Sequence, residues 1–125
     1  LGFVEVWKVP ATNNAEVNAA VGMQDYQVNG AIMALKDVEP PMLIDLLEWQ
    51  QPRDDSEPYA NLYRPGLARL ALRSSDLQAD YNYLLSQGVE VLSEPATVMS
   101  SADHGSRFFC FKDPDGTFLE LVQSF

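Results

Sequence analysis

A chain of 125 residues with 46% hydrophobic content supports one core and is short for two ordinary independent domains. Eighteen acidic residues against eight basic ones give a net charge of −10, which argues against the dense Lys/Arg surface that phosphate-backbone binding needs, so no nucleic-acid partner is expected. Cys110 is the only cysteine, which rules out an internal disulfide framework or a thiolate cluster; with no run of eighteen apolar residues and no signal-peptide layout, a cytoplasmic protein without a membrane partner is expected.

Leu1 to Val9 is rich in Val, Phe and Trp and stops at Pro10, as a strand closed by a turn does. Asn13 or Asn14 suits the cap of a short helix through Val21, with Gly22 as its stop. Tyr26 to Leu35 and Met42 to Trp49 are predicted as neighbouring antiparallel strands, separated by the turn-like Lys36 to Pro41 with its paired prolines. Between Gln50 and Pro65 the apolar periodicity disappears and Pro, Asp, Arg, Ser and Asn take over, which marks a linker loop.

Gly66 to Arg73 alternates, with Leu67, Arg69, Ala71 and Arg73 on one side and Ala68, Leu70 and Leu72 on the other. Ser75 with Gln78 fits a capping box, and Leu77, Tyr81, Leu84 and Leu85 then recur at helical spacing up to Gly88. Strands are predicted at Val89–Leu92, Ser106–Lys112 and Thr117–Gln123, the last two joined by the turn Asp113-Pro114-Asp115-Gly116. Cys110, between Phe109 and Phe111, reads as a small buried hydrophobe within its strand. The second half thus reads β, α, β, β, β, and the first half reads as an incomplete version of it.

The run from Phe109 to Gln123, with its DPDG turn and following Phe118-Leu119-Glu120-Leu121, resembles the closing hairpin of the vicinal-oxygen-chelate superfamily, which includes glyoxalases, bleomycin-resistance proteins and extradiol dioxygenases. Leu1-Gly2-Phe3, the strand from Gly66 to Leu72 and the helix from Asp76 to Gly88 match the same pattern. The resemblance implies an α+β fold of paired βαβββ modules forming a cup-shaped mixed sheet. Residues 1–49 would be a partial first module lacking its initial strand and helix, 50–65 the linker, and 66–125 the complete second module.

The resemblance also implies a small-molecule ligand held in the cup, commonly a divalent metal acting as a Lewis acid, and pairing into a homodimer. Glu120 matches the superfamily's last carboxylate ligand, and alternation sets it with Phe118 and Val122. Asp45 matches the first module's carboxylate; set in an apolar run, it either lines the cup or lies on an edge strand with that face wet. Arg69 departs from the pattern, standing where metal-dependent members carry histidine. A guanidinium offers donors only and cannot coordinate a cation, but it can pair with Asp45 or Glu120, grip an anionic substrate group, or simply lie exposed.

His104 is the only histidine and falls in a loop, as solvated surface or as a proton-transfer group at the cup's rim; Arg107 offers charge to an anionic ligand, and Trp49, sharing a strand face with Asp45, an aromatic wall. Three functions are compatible with these residues. One is a lyase, isomerase or dioxygenase with Glu120, Asp45 and Arg69 in its active centre. The second is a metal-free ligand-sequestering protein similar to bleomycin-resistance proteins, whose cationic ligand the acidic chain would suit. The third is a domain whose only partner is a second copy of itself.

Overall fold

The computed structural model describes residues 1–9 and 15–125, so the expected caps Asn13 and Asn14 lie outside the described residues. The described chain is α+β, with two helices and seven strands in two sheets, and it divides into units spanning 1–55 and 56–125. None of its helices is long and apolar enough to cross a membrane.

The first unit holds β1 (Phe3–Val9), α1 (Ala15–Val21), β2 (Gln27–Leu35) and β3 (Leu43–Gln51). The strands form an antiparallel sheet in the order β1-β2-β3, in agreement with the predicted pairing across the proline-containing turn. Val28 and Ala34 of β2 are buried, as is Tyr26 just before it, whereas β1 and β3 are sheet edges and keep Val4, Trp7, Leu43 and Leu46 exposed. Gly30 has a packing role: a Cβ there would lie 2.7 Å from Leu47 Cδ2 and 2.9 Å from Val9 Cβ, so glycine lets the two edge strands' side chains close over β2.

The second unit runs β4 (Arg69–Arg73), α2 (Leu77–Ser86), β5 (Ala96–Met99), β6 (Gly105–Lys112) and β7 (Phe118–Ser124). Its sheet has the order β4-β7-β6-β5; β4 and β7 are parallel and the other neighbours antiparallel. This is the predicted β, α, β, β, β sequence with one strand relocated. Val89–Leu92 is not a strand: it makes a single bridge, Val91 to Phe111, as it passes β6. The strand in that place is β5, four residues later. All four of its residues are exposed at a sheet edge, so no apolar alternation marks it in the sequence.

Helix α2 begins one position later than a cap at Ser75 would put it. Asp76 is the N-cap, its carboxylate accepting from the Ala79 N–H at 3.0 Å, and its charge also favours the positive end of the helix. Gln78 therefore stands too early to close a capping box and donates instead to Asn82. Gly88, at φ +74°, ends the helix as expected. Gln123 of β7 ties the helix start to the sheet, accepting from Leu77 N–H at 3.2 Å and donating to the Ser75 carbonyl at 2.8 Å.

Leu72, Phe109, Phe111 and Leu121 are buried on the α2 side of this sheet, where the helix packs on β6 and β7 and buries its own Leu77 and Leu84. Tyr81 stands edge-on to Phe109 with ring centroids 5.2 Å apart, and Cys110, Phe118 and Glu120 are buried on the other side. At about 25 cal/mol per Å² of apolar surface, burial of the wholly enclosed Leu77 and Phe109 contributes several kcal/mol.

Candidate functional site

Strand alternation gives the second unit's sheet two chemically different faces. With Leu72, Phe109 and Leu121 on the α2 side, their sequence neighbours fall on the other. The register aligns Arg69 with Phe118, Ala71 with Glu120 and Arg73 with Val122 across β4 and β7. It aligns Phe108 with Val122, Cys110 with Glu120 and Lys112 with Phe118 across β6 and β7. Glu120 therefore sits in the middle of the sheet, in a row with Ala71 and Cys110.

Glu120 is only 7% exposed. A carboxylate so enclosed needs partners to offset its lost hydration. Arg69 Nε lies 3.0 Å from Glu120 Oε2, and the Cys110 thiol donates to the same oxygen at 3.8 Å, a long contact typical of sulfur. Burial pushes the Cys110 thiol above its ordinary pKa, the negative charge of Glu120 adds to that effect, and the Arg69 guanidinium opposes it. The thiol is thus held protonated, as the donor its contact requires, and is poorly suited to act as a nucleophile. The Arg69 side chain is 47% exposed, so this ion pair has one end in the protein and the other in water.

Lys112 shares this face but is engaged elsewhere, 2.8 Å from Glu90 and 5.8 Å from the centroid of the Phe118 ring. Arg107 projects from the opposite side of β6, where it approaches Gln78 Oε1 at 3.5 Å, and so is not brought to Glu120. His104 is exposed in the turn between β5 and β6; its carbonyl accepts from the backbone N–H groups of Ser100 and Ser101. Asp45 is exposed on edge strand β3 of the first unit, across from Ile32. On the same strand Trp49 is tilted against Tyr26, with centroids 5.5 Å apart.

The sequence does not by itself pair Cys110 with Glu120: counting outward from a four-residue Asp113–Gly116 turn sets Lys112 opposite Thr117 and Cys110 opposite Leu119. In the structure the loop takes in Thr117, whose carbonyl accepts from Asp113 N–H, and this one-residue shift pairs Lys112 with Phe118 and Cys110 with Glu120. Arg73, two residues beyond Ala71 on the same face and exposed, is a second guanidinium that the reading did not single out.

A divalent metal of the kind the superfamily employs needs several hard or imidazole ligands converging on one point. Among the described residues no three His, Cys, Asp or Glu side chains cluster in that way. The groups in contact with Glu120 are a permanently charged guanidinium and a protonated thiol, neither of which donates a lone pair to a hard cation. These side chains do not fit a metal centre.

The fold has close counterparts. A glyoxalase family protein from Bacillus cereus superposes with a TM-score of 0.78 at 16% identity, over 98% of this chain and 78% of that one. A member of the glyoxalase, bleomycin-resistance and dioxygenase superfamily from Sphaerobacter thermophilus gives 0.54 at 16% identity, over 90% of each chain. TioX from Micromonospora sp. gives 0.52 at 14% identity, over 98% of this chain and 77% of that one. No curated protein matches the sequence. The family model for the Glyoxalase/Bleomycin resistance protein/Dioxygenase superfamily matches residues 1–121, and with the βαβββ unit and these counterparts in fold it establishes that the chain belongs to that superfamily.

Proposed function

We propose that the protein binds a small organic molecule against the face shared by β4, β7 and β6, with Arg69 and Glu120 as the polar contacts and without a metal held by these residues. The observation that carries this reading is the 3.0 Å contact between Arg69 Nε and Glu120 Oε2. The matched carboxylate is already neutralised by a guanidinium, which takes the place of an ion rather than assisting one. On the same face Phe108, Val122 and Ala71 keep exposed surface, an apolar surround with a few polar groups of the kind small-molecule sites present. A lyase, isomerase or dioxygenase that works through a Lewis-acid ion would need donors that this pair does not supply.

Elemental analysis of protein purified without chelator, beside Glu120→Gln, tests the first half of the reading. Stoichiometric divalent metal that disappears in the variant overturns it. A thermal-shift screen of small acids, amines and zwitterions against wild type and Arg69→Ala tests the second. A ligand at one hundred times its Kd stabilises by about 2.7 kcal/mol, enough for a shift of several degrees, and that shift is expected to vanish in the variant.

A further inference from the structure

The ligand's chemistry can be read from what the ion pair leaves unused, an inference that rests on the binding reading above. Both contacts to Glu120 end on Oε2. Oε1 of the same carboxylate has no hydrogen-bond or ion-pair partner among the described residues, and it is not among the sealed, unpartnered polar atoms. An unpaired oxygen on a side chain more than nine-tenths buried thus opens onto accessible space. The register explains the opening: the β4 residue opposite Glu120 is Ala71, which is exposed and puts only a methyl group beside the carboxylate.

Arg69 is complementary. Its Nε is committed to Glu120, and the half-exposed guanidinium still carries the edge formed by its two Nη groups, a fork that fits a carboxylate. One acceptor and one donor fork are therefore left side by side, on groups already 3.0 Å apart. Charge-assisted hydrogen bonds of about 2.8 Å to each require a ligand whose own donor and carboxylate sit on neighbouring atoms. An ammonium satisfies Glu120 better than a neutral donor does, and a net-neutral ligand avoids the repulsion that a chain of charge −10 exerts on a bare anion.

We infer that the site takes an apolar α-amino acid, its ammonium donating to Glu120 Oε1, its carboxylate receiving the Nη edge of Arg69, and its side chain lying along the part-exposed Phe108 and Val122. Arg73, exposed on the same face, adds a second positive charge on the carboxylate side.

Isothermal titration calorimetry of the full chain with L-phenylalanine and L-leucine tests this, beside 3-phenylpropionate, which lacks the amine, 2-phenylethylamine, which lacks the carboxylate, and 3-phenyllactate, which carries a hydroxyl instead of the amine. The amino acids are expected to bind, and each single-group analogue to bind about tenfold or more weaker. Glu120→Gln should weaken L-phenylalanine by a similar factor while leaving 3-phenylpropionate unchanged. The analogue series on wild type decides the matter even where that variant does not fold. An analogue binding as tightly as L-phenylalanine overturns the assignment, and for 3-phenyllactate the group on Glu120 would then be a hydroxyl. If no amino acid binds at millimolar concentration but another small molecule stabilises the protein through Arg69, the ligand class is wrong and the binding reading stands. If nothing does, both fail.

Discussion

A double-mutant cycle on Arg69 and Glu120 measures whether the ion pair holds the second unit together as well as shaping its site. Arg69→Met keeps the apolar stem and removes the charge, and Glu120→Gln keeps the volume and removes the charge. Exposed pairs couple by about 0.2–1 kcal/mol, whereas breaking a fully buried pair costs about 3–5 kcal/mol. With one end 47% exposed and the other 9%, this pair falls between them, and screening at the wet end brings the expected coupling to about 1–2 kcal/mol. Against a total stability of about 5–15 kcal/mol, that is readily measured. Urea unfolding of wild type, the two single variants and the double variant gives the coupling energy directly, provided the m-values agree. Repeating the cycle in 0.5 M NaCl should reduce the coupling by less than half, since salt reaches only the Arg69 end. Additivity within about 0.3 kcal/mol would show that Arg69 is an ordinary surface arginine, and both the binding reading and its ligand class would lose their footing.

Asp76→Ala should cost about 1 kcal/mol, because it removes the bond to Ala79 N–H, while Ser75→Ala should stay within about 0.5 kcal/mol; chemical denaturation of the pair separates the two candidate caps. Leu77→Ala, at a side chain with no exposed surface, should cost about 2–5 kcal/mol by the same assay, and a smaller loss would mean that α2 is not seated on the sheet as described. Cys110 should react with a disulfide reagent only on unfolding, and its absorbance titration should fall above the ordinary thiol range. The folded thiol titrates later than the unfolded one, so between the two values the native state holds more protons and stability declines as pH rises from about 8.5. Cys110→Ala should flatten that alkaline decline, and an unchanged slope would contradict the raised pKa.

Periodic and punctuated segments were legible in the sequence. Leu77, Tyr81 and Leu84 at helical spacing marked α2, and the Asp113–Gly116 turn marked the closing hairpin, although its register follows from a loop one residue longer that includes Thr117. β5 was not legible, because an edge strand exposed at every position carries no pattern of burial. Ser75 and Asp76 are both good capping residues one step apart, and propensity alone does not choose between them; the anchoring of Leu77 N–H by Gln123, forty-six positions away, is the kind of tertiary contact that does. At the site, matching Glu120 to a carboxylate position singled out a residue that is buried in the middle of the sheet. Its pairing with Arg69 depends on the parallel alignment of β4 with β7, which joins residues distant in the chain and which no local pattern specifies.

That alignment also ties recognition to the completeness of the fold. Arg69 opens the first strand of the second unit and Glu120 lies in its last, so the two meet only once the intervening helix and hairpin have formed and β7 has docked between β4 and β6. A chain in which β4 has frayed from the sheet edge keeps its α2 and its hairpin yet has half a binding pair. Occupancy of the proposed site would therefore report on the integrity of the whole unit, and a bound molecule would act as a clasp on an edge strand.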